Sequence, residues 1–156
     1  MPVDVVTETT IDAPLEDVAS YAADPSNAPE WYANITSADW KTPPPLQRGS
    51  RIALVARFMG RRLEYTYEVI DFVPNDRLVM RTFQGPFPME TTYTWQAAAD
   101  GETRMALRNR GEPSGFSKVA APVMAAAIRR ANEKDLQNLR SILEGRQTGD
   151  ETRRSS

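Results

Sequence analysis

The chain of 156 residues contains no cysteine and no histidine, and these two absences remove whole classes of chemistry. Without cysteine there is no disulfide framework and no thiolate nucleophile. Without histidine, Cys/His zinc sites, non-haem iron triads and Ser-His-Asp hydrolysis all lose a required group. Acid–base chemistry is left to Asp, Glu, Lys and Tyr, and neither a metal nor another cofactor is expected. Charge of one sign is also missing, since 19 basic residues nearly balance 21 acidic ones for a net charge of −2. No strong field exists to draw nucleic acid to the surface. The glycines lack a phosphate-cradling spacing, and Arg129-Arg130 is too short a basic cluster to argue for nucleic acid.

Long apolar runs are absent as well. The least polar stretch, Val119 to Ile128, is broken by Pro122 and falls far short of the roughly 20 residues that span a bilayer. The opening Met1-Pro2-Val3-Asp4 carries no basic start and no signal-like apolar core, so a cytoplasmic address is expected. What is present, 40% hydrophobic and 26% charged residues, suits one globular domain with a buried core. That domain is expected over residues 1–145, as a monomer or homodimer, with a disordered tail over 146–156 that lacks large apolar side chains.

Along the chain, β-branched Val3 to Ile11 reads as a strand. Pro14, with Asp12 ahead of it and Leu15, Val18, Ala19 and Ala22 after it, marks a short amphipathic helix. Asn27 to Tyr32 reads as a second brief helix, and Ile35 to Trp40 as a strand before the Pro43-Pro44-Pro45 loop. From Gly49 onward, strands recur with short links. Arg51 to Phe58 is followed by an alternating segment with Leu63, Tyr65, Tyr67 and Val69 on one face, then by Leu78, Met80 and Thr82, by Thr91, Tyr93 and Trp95, and by Thr103, Met105, Leu107 and Asn109. Links this short make an antiparallel meander. After Gly115 the pattern turns helical to about Glu144, with Phe116, Val119, Val123, Ala127, Ala131, Leu139 and Ile142 as the apolar stripe and Gly145 as its stop.

The fold class that follows is α+β, in the order of a strand, two short helices, a meander of about six strands and a long C-terminal helix. This order, with Ile11-Asp12-Ala13-Pro14-Leu15-Glu16-Asp17-Val18, Asp24-Pro25-Ser26-Asn27 leading to Trp31, Tyr67-Glu68-Val69, Val73-Pro74-Asn75-Asp76-Arg77-Leu78 and Leu136-Gln137-Asn138-Leu139-Arg140, resembles the helix-grip fold of the START/Bet v 1-like (SRPBCC) superfamily. The nearest likeness is to its polyketide cyclase/dehydratase and lipid-transport group. The resemblance implies a curved antiparallel sheet of about seven strands wrapped around the long C-terminal helix, with the two short helices after strand 1. It also implies a deep cavity between sheet and helix for a sterol, lipid, polyketide or other hydrophobic molecule. The iron-binding oxygenase domains of the same superfamily use histidine ligands, which this chain lacks.

Within that frame the expected ligand contacts are Trp31, Leu54, Phe58, Tyr65, Tyr67, Met80 and Phe87, then Tyr93, Trp95, Met105, Leu107, Val123, Met124 and Ala127. The aromatic residues supply apolar walls with polar tips, and each has ordinary core packing as its other reading. Met59, Met80, Met89, Met105 and Met124 adapt to irregular shapes, as ligand contacts or as core filler. Trp31 and Tyr32 form a lid or a hydrophobic plug. Ala120, Ala121, Ala125, Ala126, Ala127 and Ala131 place either a void or simply good helix formers in the first half of the long helix. Candidate catalytic groups are Asn109, Tyr67 and Glu90, with Thr91 and Thr103 nearby; their other reading is satisfied strand polarity. The leading expectation is binding or transport of a small hydrophobic ligand. A cofactor-free cyclase or dehydratase and an interaction module resembling activators of the Hsp90 ATPase are the alternatives.

Overall fold

A computed structural model describes residues 3–85, 87–112 and 121–154, with side chains through residue 146 in the last segment. Seven strands form one antiparallel sheet: β1 (Val3–Ile11), β2 (Ile35–Trp40), β3 (Arg51–Phe58), β4 (Arg61–Val73), β5 (Arg77–Gln84), β6 (Met89–Ala97) and β7 (Thr103–Gly111). Their spatial order is β1-β7-β6-β5-β4-β3-β2. The meander therefore runs from β2 to β7, and β1 returns to pair with β7 along its whole length, Val3 opposite Gly111 through Ile11 opposite Thr103. Between β1 and β2 lie α1 (Leu15–Ala23) and the single turn α2 (Ala28–Trp31), and α3 (Ala121–Arg154) closes the concave face.

Short turns make the meander possible. Met59 and Gly60, both at positive φ, join β3 to β4 as a two-residue hairpin link requires, which leaves Met59 exposed rather than in the core. The sheet curves because its pairing is interrupted. Register shifts fall at Thr66/Tyr67 and Val69/Asp71 between β4 and β5, and at Ile35/Ser37 between β2 and β3, and each such irregularity bends a strand and increases its twist. At the end of β7, Gly111 lets the backbone approach the segment before β6; a Cβ there would lie 2.3 Å from the Pro88 carbonyl oxygen. That close approach holds Phe87 and Met89 beside the sheet's open end.

The alternation read from the sequence is the alternation of the sheet. Leu63, Tyr67 and Val69 are buried, as are Leu78 and Met80, Thr91, Tyr93 and Trp95, and Thr103, Met105 and Leu107. The outer face carries the charges, where Arg51 pairs with Glu68 and Arg108 with Asp4. These pairs are solvent-exposed and contribute little each.

The long helix departs from expectation in two ways. Its buried stripe is Met124, Ile128, Asn132, Asp135, Leu136, Leu139 and Leu143, whereas Val123 is 56% exposed and Ala127 only half-buried. Two stripes overlap here with starting points one residue apart. The one carrying Met124 and Ile128 buries more apolar area than the one carrying Val123 and Ala127, so it faces the sheet. Phe116 and Val119 lie outside the described residues. Secondly, α3 runs on past Gly145 to Arg154, where the sequence predicted a stop and a disordered tail. Gly145 is not among the glycines at positive φ, so it costs the helix about 1 kcal/mol without ending it.

No helix among the described residues is long and apolar enough to cross a membrane. Among the described residues the buried apolar side chains form two clusters rather than one. The larger joins Trp31, Trp95, Met105, Leu107, Leu136 and Leu139 with α1 and the mid-sheet; the smaller joins Val3, Val5, Met124 and Ile128 with Phe58 and Phe87. The gap between them is the feature of interest.

Candidate functional site

A cavity of about 170 Å³ lies between the concave sheet and α3. Space is left because four small side chains face it: Ala22 and Ala23 from α1, Ala28 from α2 and Ala131 from α3. The alanine run of α3 contributes only that last residue among the described ones, for Ala125 and Ala127 are half-buried off the wall and Ala126 is exposed. The void thus sits under the expected half of the helix, but the α1–α2 segment makes most of it.

Of the residues expected to contact a ligand, Leu54 and Phe58 on β3, Tyr65 and Tyr67 on β4, Met80 on β5 and Tyr93 on β6 lie on the wall, as do Phe87 and Met124. Trp31, Trp95, Met105 and Leu107 do not. Trp95, Met105 and Leu107 point inward as alternation requires, yet they and Trp31 of α2 are almost fully buried in the larger cluster, with residues of α1 and of the C-terminal part of α3. Val123 and Ala127 miss it through the register of α3.

Glu90 is also a correction. It points to the outer face of the sheet, where Arg81 and Arg110 bind its two carboxylate oxygens at 2.9 and 2.8 Å. Partial burial pushes its pKa up, but the two arginines outweigh that and hold the carboxyl below its ordinary value. It keeps its charge and has no path to the cavity. Changing Glu90 to Gln should leave ligand binding within about twofold of wild type and cost about 1–2 kcal/mol in denaturant unfolding, because a half-buried carboxylate loses its charge-assisted bonds to two arginines.

Asn109 and Tyr67 do converge. The Tyr67 hydroxyl donates to Thr91 Oγ1 at 2.8 Å, Thr91 donates to Asn109 Oδ1 at 2.6 Å, and Asn109 Nδ2 donates to Asn132 Oδ1 on α3 at 3.1 Å. The relay crosses the cavity wall from sheet to helix and ends at Asn132 Nδ2, which is buried and has no partner among the described residues. Burial raises the Tyr67 pKa despite the opposing bond to Thr91, so this phenol is a donor rather than a base.

A second polar group lies beside the first. Tyr32 and Tyr93 share a hydroxyl–hydroxyl bond of 2.5 Å, and one turn along α3 from Asn132 stands Asp135, 2% exposed. Asp135 Oδ1 accepts the Ala33 N–H at 2.9 Å, while Asn138 Nδ2 donates to the Trp31 carbonyl at 3.2 Å. These two bonds dock the α2 segment on α3 and close one side of the cavity. Desolvation raises the Asp135 pKa from 3.8 to about 6, against smaller opposing effects of the Ala33 bond and the Lys134 charge. Neither Asn132 nor Asp135 was among the residues expected from the sequence. The signal was their placement, four and seven residues beyond Ile128, on the stripe that includes Met124 and Leu136.

A sheet gripping one long helix, with an internal cavity between them, defines the helix-grip architecture of the SRPBCC proteins. The chain belongs to the polyketide cyclase/dehydrase and lipid transport family, whose model matches residues 2–144. Comparison with curated proteins finds no match. Among solved structures, the chain is similar to the Zhui aromatase/cyclase from Streptomyces sp. R1128, at 16% identity over 94% of this chain and 96% of that one, with a TM-score of 0.76. It is similar to a START superfamily protein from Mycobacterium smegmatis at 20% identity, covering 92% and 95% of the two chains with a TM-score of 0.68. Ginseng major latex-like protein 151 from Panax ginseng matches at 13% identity over 91% and 97%, with a TM-score of 0.72. At these identities the likeness speaks to the fold alone.

Proposed function

We propose that this protein binds a small, mainly apolar molecule inside the cavity between the sheet and α3. One observation carries the reading: a space of about 170 Å³ persists in the interior, walled by Leu54, Leu78, Met80, Met124 and Ile128, in a class of molecule whose interiors are otherwise close-packed. Membership of the polyketide cyclase/dehydrase and lipid transport family supports it. Size narrows it further, because an apolar cavity of roughly 150 Å³ accommodates benzene, so a one-ring compound or short chain fits without rearrangement.

The test is native mass spectrometry of the protein incubated with one-ring aromatics and medium-chain alcohols. A retained adduct at one copy per chain is expected, and Ala131→Phe, which fills the void from the helix side, should weaken retention at least tenfold while the protein stays folded by circular dichroism. No retained compound, or unchanged retention in the filled variant, sinks the reading.

Asp135 favours a second reading, a cofactor-free enzyme of cyclase or dehydratase type. A carboxylate raised toward neutrality by burial is suited to take or return a proton, and the unpaired Asn132 N–H beside it is suited to a developing oxyanion. Product formation lost in Asp135→Asn while binding persists would separate enzyme from carrier.

A further inference from the structure

Two polar groups on the helix side of the cavity have bonding capacity that no group among the described residues uses. Asn132, 4% exposed, accepts from Asn109 through Oδ1 and leaves Nδ2 without a partner. Asp135 accepts from Ala33 through Oδ1, and no bond among the described residues reaches Oδ2. Leaving a buried amide donor unpaired is unfavourable, and a carboxylate held in a largely buried site gains from a donor that reaches its second oxygen. Among the described residues two further buried N–H groups lack partners, the indoles of Trp31 and Trp95, but neither residue reaches the cavity wall.

Residues i and i+3 of a helix share a face, with Cβ atoms about 5–6 Å apart, and both Asn132 and Asp135 line the same cavity. One offers a donor and the other an acceptor. A ligand carbonyl would satisfy Asn132 and set its lone pairs against the Asp135 carboxylate. A ligand carboxylate would be repelled by that same charge, and an ammonium would answer Asp135 but leave Asn132 Nδ2 orphaned. A hydroxyl does both, since its oxygen accepts while its proton is donated. Tyr32, Tyr65 and Tyr93, whose pKa values are all raised by burial with Asp135 as a lesser contributor, face this carboxylate from the other elements, and Lys134 is its neighbour on α3. Leu54, Leu78 and Met80 line the cavity beyond, together with the tyrosines and the Tyr67–Thr91–Asn109 relay, whose hydroxyl and amide groups already bond one another.

We propose that the ligand is a compact phenol or alcohol, whose hydroxyl oxygen accepts from Asn132 Nδ2 and whose proton is donated to Asp135 Oδ2. This rests on the cavity being a ligand site. The experiment uses two probes of equal shape, 4-ethylphenol and 4-ethyltoluene, titrated into the full chain at pH 7.5 and followed by calorimetry or by methyl resonances of the wall residues. Wild type should prefer the phenol by about tenfold or more, as a pair of buried hydrogen bonds requires. Asn132→Leu and Asp135→Asn, the second of which keeps the Ala33 bond, should each reduce that phenol-to-hydrocarbon ratio severalfold. Equal affinities in wild type, or variants that weaken both probes alike, overturn the hydroxyl assignment while leaving the cavity as a ligand site. Failure of both probes to bind wild type overturns the ligand-site reading itself.

Discussion

Changing Asp135 to Asn stabilises the ligand-free protein by about 2–3 kcal/mol at pH 7 and by less than about 0.5 kcal/mol at pH 3. The carboxyl has a pKa near 6 in the fold against 3.8 for the ordinary group, chiefly because burial disfavours its charge. Between those two values the folded protein holds a proton that the unfolded chain has released. The contribution of Asp135 to stability therefore falls as pH rises from about 4 to about 6 and is flat above, the reverse of the behaviour of a salt-bridged aspartate. Each pKa unit is worth about 1.4 kcal/mol, which sets the ceiling. Asparagine removes the charge and retains an oxygen for the Ala33 N–H, so the gain appears only where Asp135 is ionised. Tyr32, Tyr65 and Tyr93 around it have raised pKa values and stay protonated throughout. Urea unfolding at pH 3, 5 and 7 reads the effect. A destabilised variant at pH 7, or the same difference at every pH, would show that the carboxylate is structurally satisfied. A residue that costs stability in the free protein and faces a cavity is most simply explained by what it does when the cavity is occupied.

Leu139→Ala should cost about 3–5 kcal/mol in unfolding free energy, and Leu54→Ala at least about 1 kcal/mol less. Leu139 is fully buried in the larger cluster and is surrounded by packed neighbours. Leu54, 7% exposed, has the cavity on one side. A side chain beside a void has fewer atoms in contact and loses less dispersion energy when truncated. The comparison tests the void without any ligand, because in a solid interior two leucines of similar burial would cost similar amounts. Equal losses from guanidinium unfolding curves would argue that the interior is filled at Leu54, and the binding proposal would fall with it.

Much of the architecture was legible before any coordinates. Period-two alternation in Leu63, Tyr65, Tyr67 and Val69 and in Thr91, Tyr93 and Trp95 settles which faces turn inward, because a one-residue slip would expose every one of them. Short links settle antiparallel pairing. The register of α3 was less legible, since two apolar stripes one residue apart compete and the winner carries Asn132 and Asp135, polar residues that an apolar pattern does not single out. Nor does alternation separate Trp95 from Tyr93. Both point inward, and only packing against α1 decides that one is core and the other wall.

The sequence by itself determined the strand faces, the order of elements, the family and the absence of cysteine and histidine chemistry, because these depend on local periodicity and on which side chains exist. Tertiary structure alone decided where the space remains and which polar groups border it. A void is a property of elements distant in sequence failing to fill one volume, here Ala22, Ala28 and Ala131. An orphaned donor is likewise defined by partners that do not arrive, and Asn132 acquires that character only when α3 is laid across the sheet.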